Sequence, residues 1–247
     1  MKTHTKTGPA GQTFKCEAKG LNELAKAKTL KVAKVVSYGP NYITTEFIET
    51  GRTSKEFFRS FGQGLAKLHK FKATEYGFYE DNFIGETPQK NIPRGEEKHD
   101  WPLFYFNNRI MPQYYLAEKN GLLSPKLAKG IKTLENNIYK ILETTTSEGP
   151  SLLHGDLWGG NYICDTKGQA VLIDPAVYYG HRETDLAMTR LFGGFTQDFY
   201  KAYNQEYPLM PGWQEREPIY LLYHLLNHLN IFGTSYLQAA ENCLAPR

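Results

Sequence analysis

Residues 154–161 read H-G-D-L-W-G-G-N, and residues 171–175 read V-L-I-D-P. Between Asn161 and Asp174 lie two short apolar runs, 162–165 and 170–173, separated by Thr166, Lys167 and Gly168. Runs of this kind around a glycine turn predict a β-hairpin, which closes its ends on each other and brings Asn161 beside Asp174. Asp156 stands five residues before Asn161, in the loop that enters the hairpin. Two carboxylates and an amide oxygen gathered in this way suit both a hard cation and a proton acceptor. Asp156 can take the proton of a substrate hydroxyl, while Asn161 and Asp174 can hold Mg²⁺ against the phosphates of a nucleotide.

The spacing of His154, Asp156, Leu157 and Asn161 is that of the protein-kinase catalytic loop, H-R-D-L-x-x-x-N. It departs at Gly155, where an arginine would meet a phosphorylated activation loop; D-P-A stands for D-F-G, and no A-P-E follows. A kinase-type peptide loop is therefore disfavoured as the acceptor. Further strings are T-E-F-I-E at 45–49, G-L-A-K-L-H at 64–69, D-N-F-I-G at 81–85 and W-P-L-F-Y-F-N-N-R at 101–109. Y-Y-G-H-R-E-T-D-L-A at 178–187, L-F-G-G-F at 191–195 and Y-H-L-L-N-H-L-N at 223–230 complete the set. With them the chain resembles the fructosamine kinase (ketosamine-3-kinase) family, part of the group typified by aminoglycoside phosphotransferases. H-G-D-x-x-x-x-N marks that whole group; Trp158 and the G-H-x-E-x-(D/E)-L-A stretch narrow it.

The resemblance implies an α+β, protein kinase-like fold of two lobes. Residues 1–50 would form an incomplete N-lobe, and residues 51–247 a mostly helical C-lobe with the catalytic loop and the metal-binding hairpin. It implies ATP and Mg²⁺ as cofactors, and as acceptor the 3-hydroxyl of a fructosamine or ribulosamine, small or protein-bound. The phosphorylated adducts are expected to break down, so the role resembles protein deglycation or repair. The backbone of Glu46, Phe47 and Ile48 would bind the adenine edge, and Trp158 and His181 would face the substrate. The lysine that meets the α/β-phosphates would be Lys2, paired with Glu17, since E-A-x-x-L matches Glu17, Ala18 and Leu21. The family's Gly-rich hairpin would have to precede Met1; the segment Gly8-Pro-Ala-Gly11 follows Lys2 and lacks G-x-G-x-x-G spacing. The expectation is a chain that starts late relative to the working protein, binding ATP weakly and turning over little as given. A non-catalytic pseudokinase fragment that binds ketosamines or a partner is the other reading.

Phe14, Ala18, Leu21 and Ala25 predict a first helix capped at Thr13, with Glu17 one position off the stripe. Residues 30–37 and 42–48 predict a hairpin around Gly39-Pro40-Asn41. Thr53 or Ser54 would cap a helix reaching Lys70, residues 76–94 form a long loop, and 101–119, 125–143 and most of the chain after 183 are helical. A net charge of +3 carries no nucleic-acid footprint. Three cysteines without C-x-x-C spacing argue against disulfides or zinc and suit a reducing compartment, the cytoplasm. No apolar run reaches the ~18 residues of a membrane span. There is no G-x-S-x-G elbow for a hydrolase, and His224 and His228 lack the H-E-x-x-H frame, so they read as positions in a packed helix.

Overall fold

The computed structural model describes residues 2–245; Met1 and residues 246–247, the outer ends of the two expected lobes, lie outside the described residues. The alternating, β-branched run T-H-T-K-T forms β1 (Thr3–Thr7). It is followed by α1 (Thr13–Lys26), β2 (Lys31–Val32), β3 (Val35–Gly39) and β4 (Tyr42–Glu46). β3 and β4 form the expected hairpin, and β1 adds antiparallel to β4, giving the order β1-β4-β3. Phe14, Ala18 and Leu21 of α1 pack with Ile43 beneath this sheet as a small cluster separate from the main core. The α1 N-cap is Gln12, with no side-chain cap, so Thr13 is the first helical residue and not the cap.

The next elements are α2 (Lys55–His69), β5 (Asn82–Ile84) and β6 (Thr87–Gln89). Ser54, not Thr53, caps α2: its Oγ accepts the Phe57 N–H at 3.1 Å. β5 and β6 are a short hairpin inside the stretch expected to be loop. Then come α3 (Trp101–Tyr105), a π-helical turn (Phe106–Ile110) and α4 (Met111–Lys119). The expected single helix over 101–119 widens here because Pro112 has no N–H for the carbonyl of Asn108. The Arg109 guanidinium takes that carbonyl instead, at 2.9 Å.

α5 (Pro125–Leu142) buries Leu127, Ile131, Leu134, Ile138 and Leu142 as its stripe requires. β7 (Ser151–Leu153), β8 (Tyr162–Cys164), β9 (Ala170–Leu172) and β10 (Tyr178–Gly180) follow. The chain ends in α6 (Glu183–Leu191), α7 (Gln197–Glu206), α8 (Trp213–Phe232) and α9 (Leu237–Cys243). β8 and β9 form the second expected hairpin, and β7 pairs with β10. β2, read from sequence as part of the first hairpin, instead runs parallel to β9, and the Ala33 N–H continues the ladder to the Leu172 carbonyl. Thr50 bridges to Asp165 across the same joint. The small sheet is thus stitched to the hairpin that carries Asn161 and Asp174.

Candidate active site

The catalytic loop is held from behind. Asp185, on α6 and 1% exposed, accepts the His154 and Gly155 N–H groups at 2.8 Å each and the His69 Nε2 at 3.2 Å. Burial alone would raise its pKa, but His69 and the loop N–H groups hold it below the usual carboxylate range. His154 is buried, and burial lowers its imidazole pKa below the ordinary value. Its Nδ1 faces the Asp156 N–H and its Nε2 the Ile173 carbonyl at 2.9 Å, an arrangement that assigns the ring proton to Nε2. Gly155 adopts φ +84°, and a Cβ there would collide with the Ala176 carbonyl, so no arginine fits at this position. Replacing Asp185 by alanine strands two buried N–H groups and a buried imidazole. The expected result is a loss of about 3–5 kcal/mol of stability, read from the urea midpoint.

In front of this anchor, Asn161 Nδ2 donates to the Asp156 carbonyl (2.7 Å), to Asp156 Oδ2 (3.1 Å) and to the Asp174 carbonyl (3.4 Å). With its amide nitrogen turned to the loop, the side-chain oxygen of Asn161 remains for a cation. Asp174 holds a left-handed backbone at φ +51°, a conformation that costs a non-glycine residue ~1–3 kcal/mol and recurs at functional sites. Burial pushes the Asp156 carboxyl up to about 7, against the pull of the Asn161 amide.

The lysine that reaches these residues is Lys6. Its Nζ lies 2.8 Å from Glu17 Oε2 and 2.8 Å from Asp174 Oδ1. Lys2, the residue expected from sequence, is exposed and contributes only its carbonyl, which accepts the Phe47 N–H at 3.0 Å. Glu17, expected to pair with Lys2, is ion-paired with Lys6 instead. Burial and the Asp174 carboxylate push Glu17 up to about 7, while Asp174, which burial would also raise, is held down by the Lys6 ammonium. One ammonium shared by two carboxylates cannot keep both readily ionised.

Two cavities meet at these residues. A slot of about 300 Å³ runs from Lys6, Glu17 and Asp174 past Leu21, Ala33, Ile43, Ile163 and Ile173 to Glu46, Phe47 and Ile48. The Glu46 and Phe47 N–H groups are already bonded to the Lys34 and Lys2 carbonyls. On the other side of Asp174, a cavity of about 260 Å³ holds Asp156, Asn161, Trp158, Phe83 and Gly85. It continues at Asp156 and Trp158 into an aromatic groove of about 340 Å³ with Phe192, His228, Phe232 and Tyr236. A further concavity of about 590 Å³ between α5 and α8 contains none of the motif residues.

His181 does not reach either cavity. It is fully buried, with Nδ1 3.1 Å from the Tyr220 hydroxyl and Nε2 2.9 Å from Glu148, so its place in a family-like string reflects packing. His224 is buried and His228 edges the aromatic groove; among the described residues no cluster of three His, Cys, Asp or Glu side chains could hold a metal ion. Asn161 and Asp174 offer hard oxygen donors to one cavity, and such ligands fit Mg²⁺.

A family model described as fructosamine kinase matches residues 1–246. The chain belongs to the fructosamine kinase family. A "Probable ketoamine kinase" of Enterococcus faecium is 39% identical over 235 residues, covering 94% of this chain and 81% of the relative. A chloroplastic protein-ribulosamine 3-kinase of Oryza sativa subsp. japonica is 39% identical over 251 residues, covering 99% of this chain and 70% of the relative. The crystal structure of a candidate fructosamine-3-kinase from Thermobifida fusca superposes with a TM-score of 0.86 at 33% identity, over 98% of this chain and 84% of that one. The aminoglycoside phosphotransferase APH(2")-IIa shares the fold alone, with a TM-score of 0.62 at 13% identity over 100% of this chain and 86% of its own. As a fructosamine kinase family member the chain is a phosphotransferase with a hydroxyl acceptor and a protein kinase-like α+β fold. No helix among the described residues is long and apolar enough to cross a membrane.

Sequence reading missed Lys6 and Asp185. Asp185 is the acidic position of the G-H-x-E-x-(D/E)-L-A stretch, which marked the string as a whole but not the part this carboxylate plays in holding the loop.

Proposed function

We propose that this chain transfers the γ-phosphoryl group of ATP to the 3-hydroxyl of a ketoamine sugar, a small or protein-bound fructosamine or ribulosamine. The observation that carries the reading is that Asp156, Asn161 and Asp174 line together the cavity that joins the apolar slot to the aromatic groove. Adenine lies in the slot against residues 46–48, where the Ile48 peptide is the donor we assign, and the phosphates run toward Lys6. Asn161 and Asp174 would hold Mg²⁺, which when bound neutralises the charge on the phosphates. Trp158 walls the sugar, and the open groove beyond it leaves room for the amine that carries the sugar.

In the reaction the acceptor oxygen forms a bond to the γ-phosphorus as the bond to ADP breaks. Asp156 orients the attacking hydroxyl and takes its proton, a task suited to a carboxyl raised toward neutrality. The Lys6 ammonium faces the negative charge of the phosphates. A hydrogen bond from a charged group is worth roughly 1.5–3 kcal/mol, so Lys6→Ala is expected to weaken nucleotide binding by roughly 10- to 100-fold. Lys2→Ala is expected to leave it as in the parent, and a titration with a fluorescent ATP analogue distinguishes the two. The enzymatic reading is tested by ADP formation that depends on an added glycated amine. Nucleotide binding with no ketoamine-dependent ADP would favour the non-catalytic binding module.

A further inference from the structure

α1 presents two faces. Phe14, Ala18 and Leu21 enter the small cluster under the sheet, whereas Leu24 joins the main core. Gly20 and Glu23, three residues apart on the same side, turn toward the segment that follows Asp174. A Cβ on Gly20 would stand 3.2 Å from both Pro175 Cγ and Val177 Cγ2, so the helix backbone rests on that segment at a separation that suits glycine. A glycine inside a helix is disfavoured relative to alanine, and its use here goes with this close approach. One turn later Glu23, 7% exposed, accepts the Tyr179 hydroxyl at 3.0 Å. Lys19 of the same helix is ion-paired to Glu80. Glu17 precedes Gly20 by one turn and faces Lys6.

We propose that Gly20 and the Glu23–Tyr179 hydrogen bond form a seat that docks α1 on residues 175–179. The seat sets the separation of Glu17 from Asp174 and therefore the place of the ammonium both carboxylates share. Gly20, Glu23 and Tyr179 are positioning residues. Glu23 and Tyr179 border a separate hollow of about 430 Å³ behind α1, not the slot or the aromatic groove. The inference rests on the nucleotide-site reading of Lys6 and Asp174.

The test compares Gly20→Ala, Tyr179→Phe, Glu23→Gln and the double variant Gly20→Ala/Tyr179→Phe with the parent chain. The readouts are Mg²⁺-dependent binding of a fluorescent ATP analogue, affinity for a glycated peptide, and melting temperature. Gly20→Ala is expected to weaken nucleotide binding ~10-fold through misplacement of Lys6, while the melting temperature changes little, because the better helix propensity of alanine offsets the crowding against Pro175 and Val177. Tyr179→Phe, which removes only a hydroxyl, is expected to weaken it similarly, and glycated-peptide affinity stays at the parent value in both. Glu23→Gln keeps an oxygen for the tyrosine and is expected to bind as the parent does. The double variant is expected to be no weaker than the weaker single variant, because both act through one seat. Tyr139→Phe, which breaks an exposed hydrogen bond from α5 to Asp100, serves as an unaffected control. Parent-like nucleotide binding in Gly20→Ala and Tyr179→Phe overturns the seat, as does a loss that merely follows melting temperature. If Gly20→Ala does not fold, Tyr179→Phe decides alone. A parent chain with no Mg²⁺-dependent binding overturns the nucleotide-site reading first, and the seat with it.

Discussion

Asp156→Asn is expected to cut ketoamine phosphorylation by ~10²- to 10⁴-fold, the range associated with a positioned general base. The substitution keeps the size and one acceptor oxygen of the side chain, so the Asn161 contact at 3.1 Å can persist. What it removes is the ability to accept the hydroxyl proton. Nucleotide affinity and melting temperature should hold, because the loop is anchored through the His154 and Gly155 backbone on Asp185 and not through the Asp156 carboxylate. Single-turnover measurement of phosphoryl transfer beside a nucleotide titration separates the two effects. An Asp156→Asn variant that turns over like its parent would remove Asp156 from the chemistry.

The second large effect is expected at Asp174. Asp174→Ala deletes a hard oxygen ligand, and since loss of a mere outer-layer partner of a metal ligand costs roughly 10–100-fold, loss of the ligand itself should raise the Mg²⁺ half-saturation by at least ~10². The same change frees Lys6 from one of its two carboxylates, leaving it to Glu17 at 2.8 Å. The non-glycine strain at φ +51° is not relieved by alanine, so stability should change little through the backbone. Asn161→Ala is expected to act in the same direction. Mg²⁺ titrations that give the parent's half-saturation in both variants would make these residues structural.

How much of this could be read from the chain follows from how local each signal is. The hairpin around Gly168 and the stripe of α5 are set within a few residues, and both stand where the sequence puts them. The lysine was harder. Strand side chains alternate, so Lys2, just before β1, is in step with His4 and Lys6, and parity does not choose among them. The choice is made by reach: Lys2 lies four residues, about 13 Å of strand, from Lys6. The short connection to α1 puts Glu17 beside the Lys6 end. His181 failed for a different reason, since a motif string records packing and chemistry alike, and only the fold shows this imidazole sealed beneath Tyr220. β2 was misassigned because its true partner, β9, lies about 140 residues away, across a parallel pairing that no local pattern announces.

With Asp156 as the base, ATP's γ-phosphoryl group is expected on one hydroxyl of a ketoamine. Mass spectrometry of a glycated peptide incubated with the chain, ATP and Mg²⁺ detects that transfer, and a phosphorus–proton correlation spectrum locates the new bond. One added phosphoryl group is expected, coupled to the proton at the sugar's 3-position and lost in Asp156→Asn. Nucleotide consumed with the phosphoryl group on water, on the peptide or on another sugar carbon would contradict it.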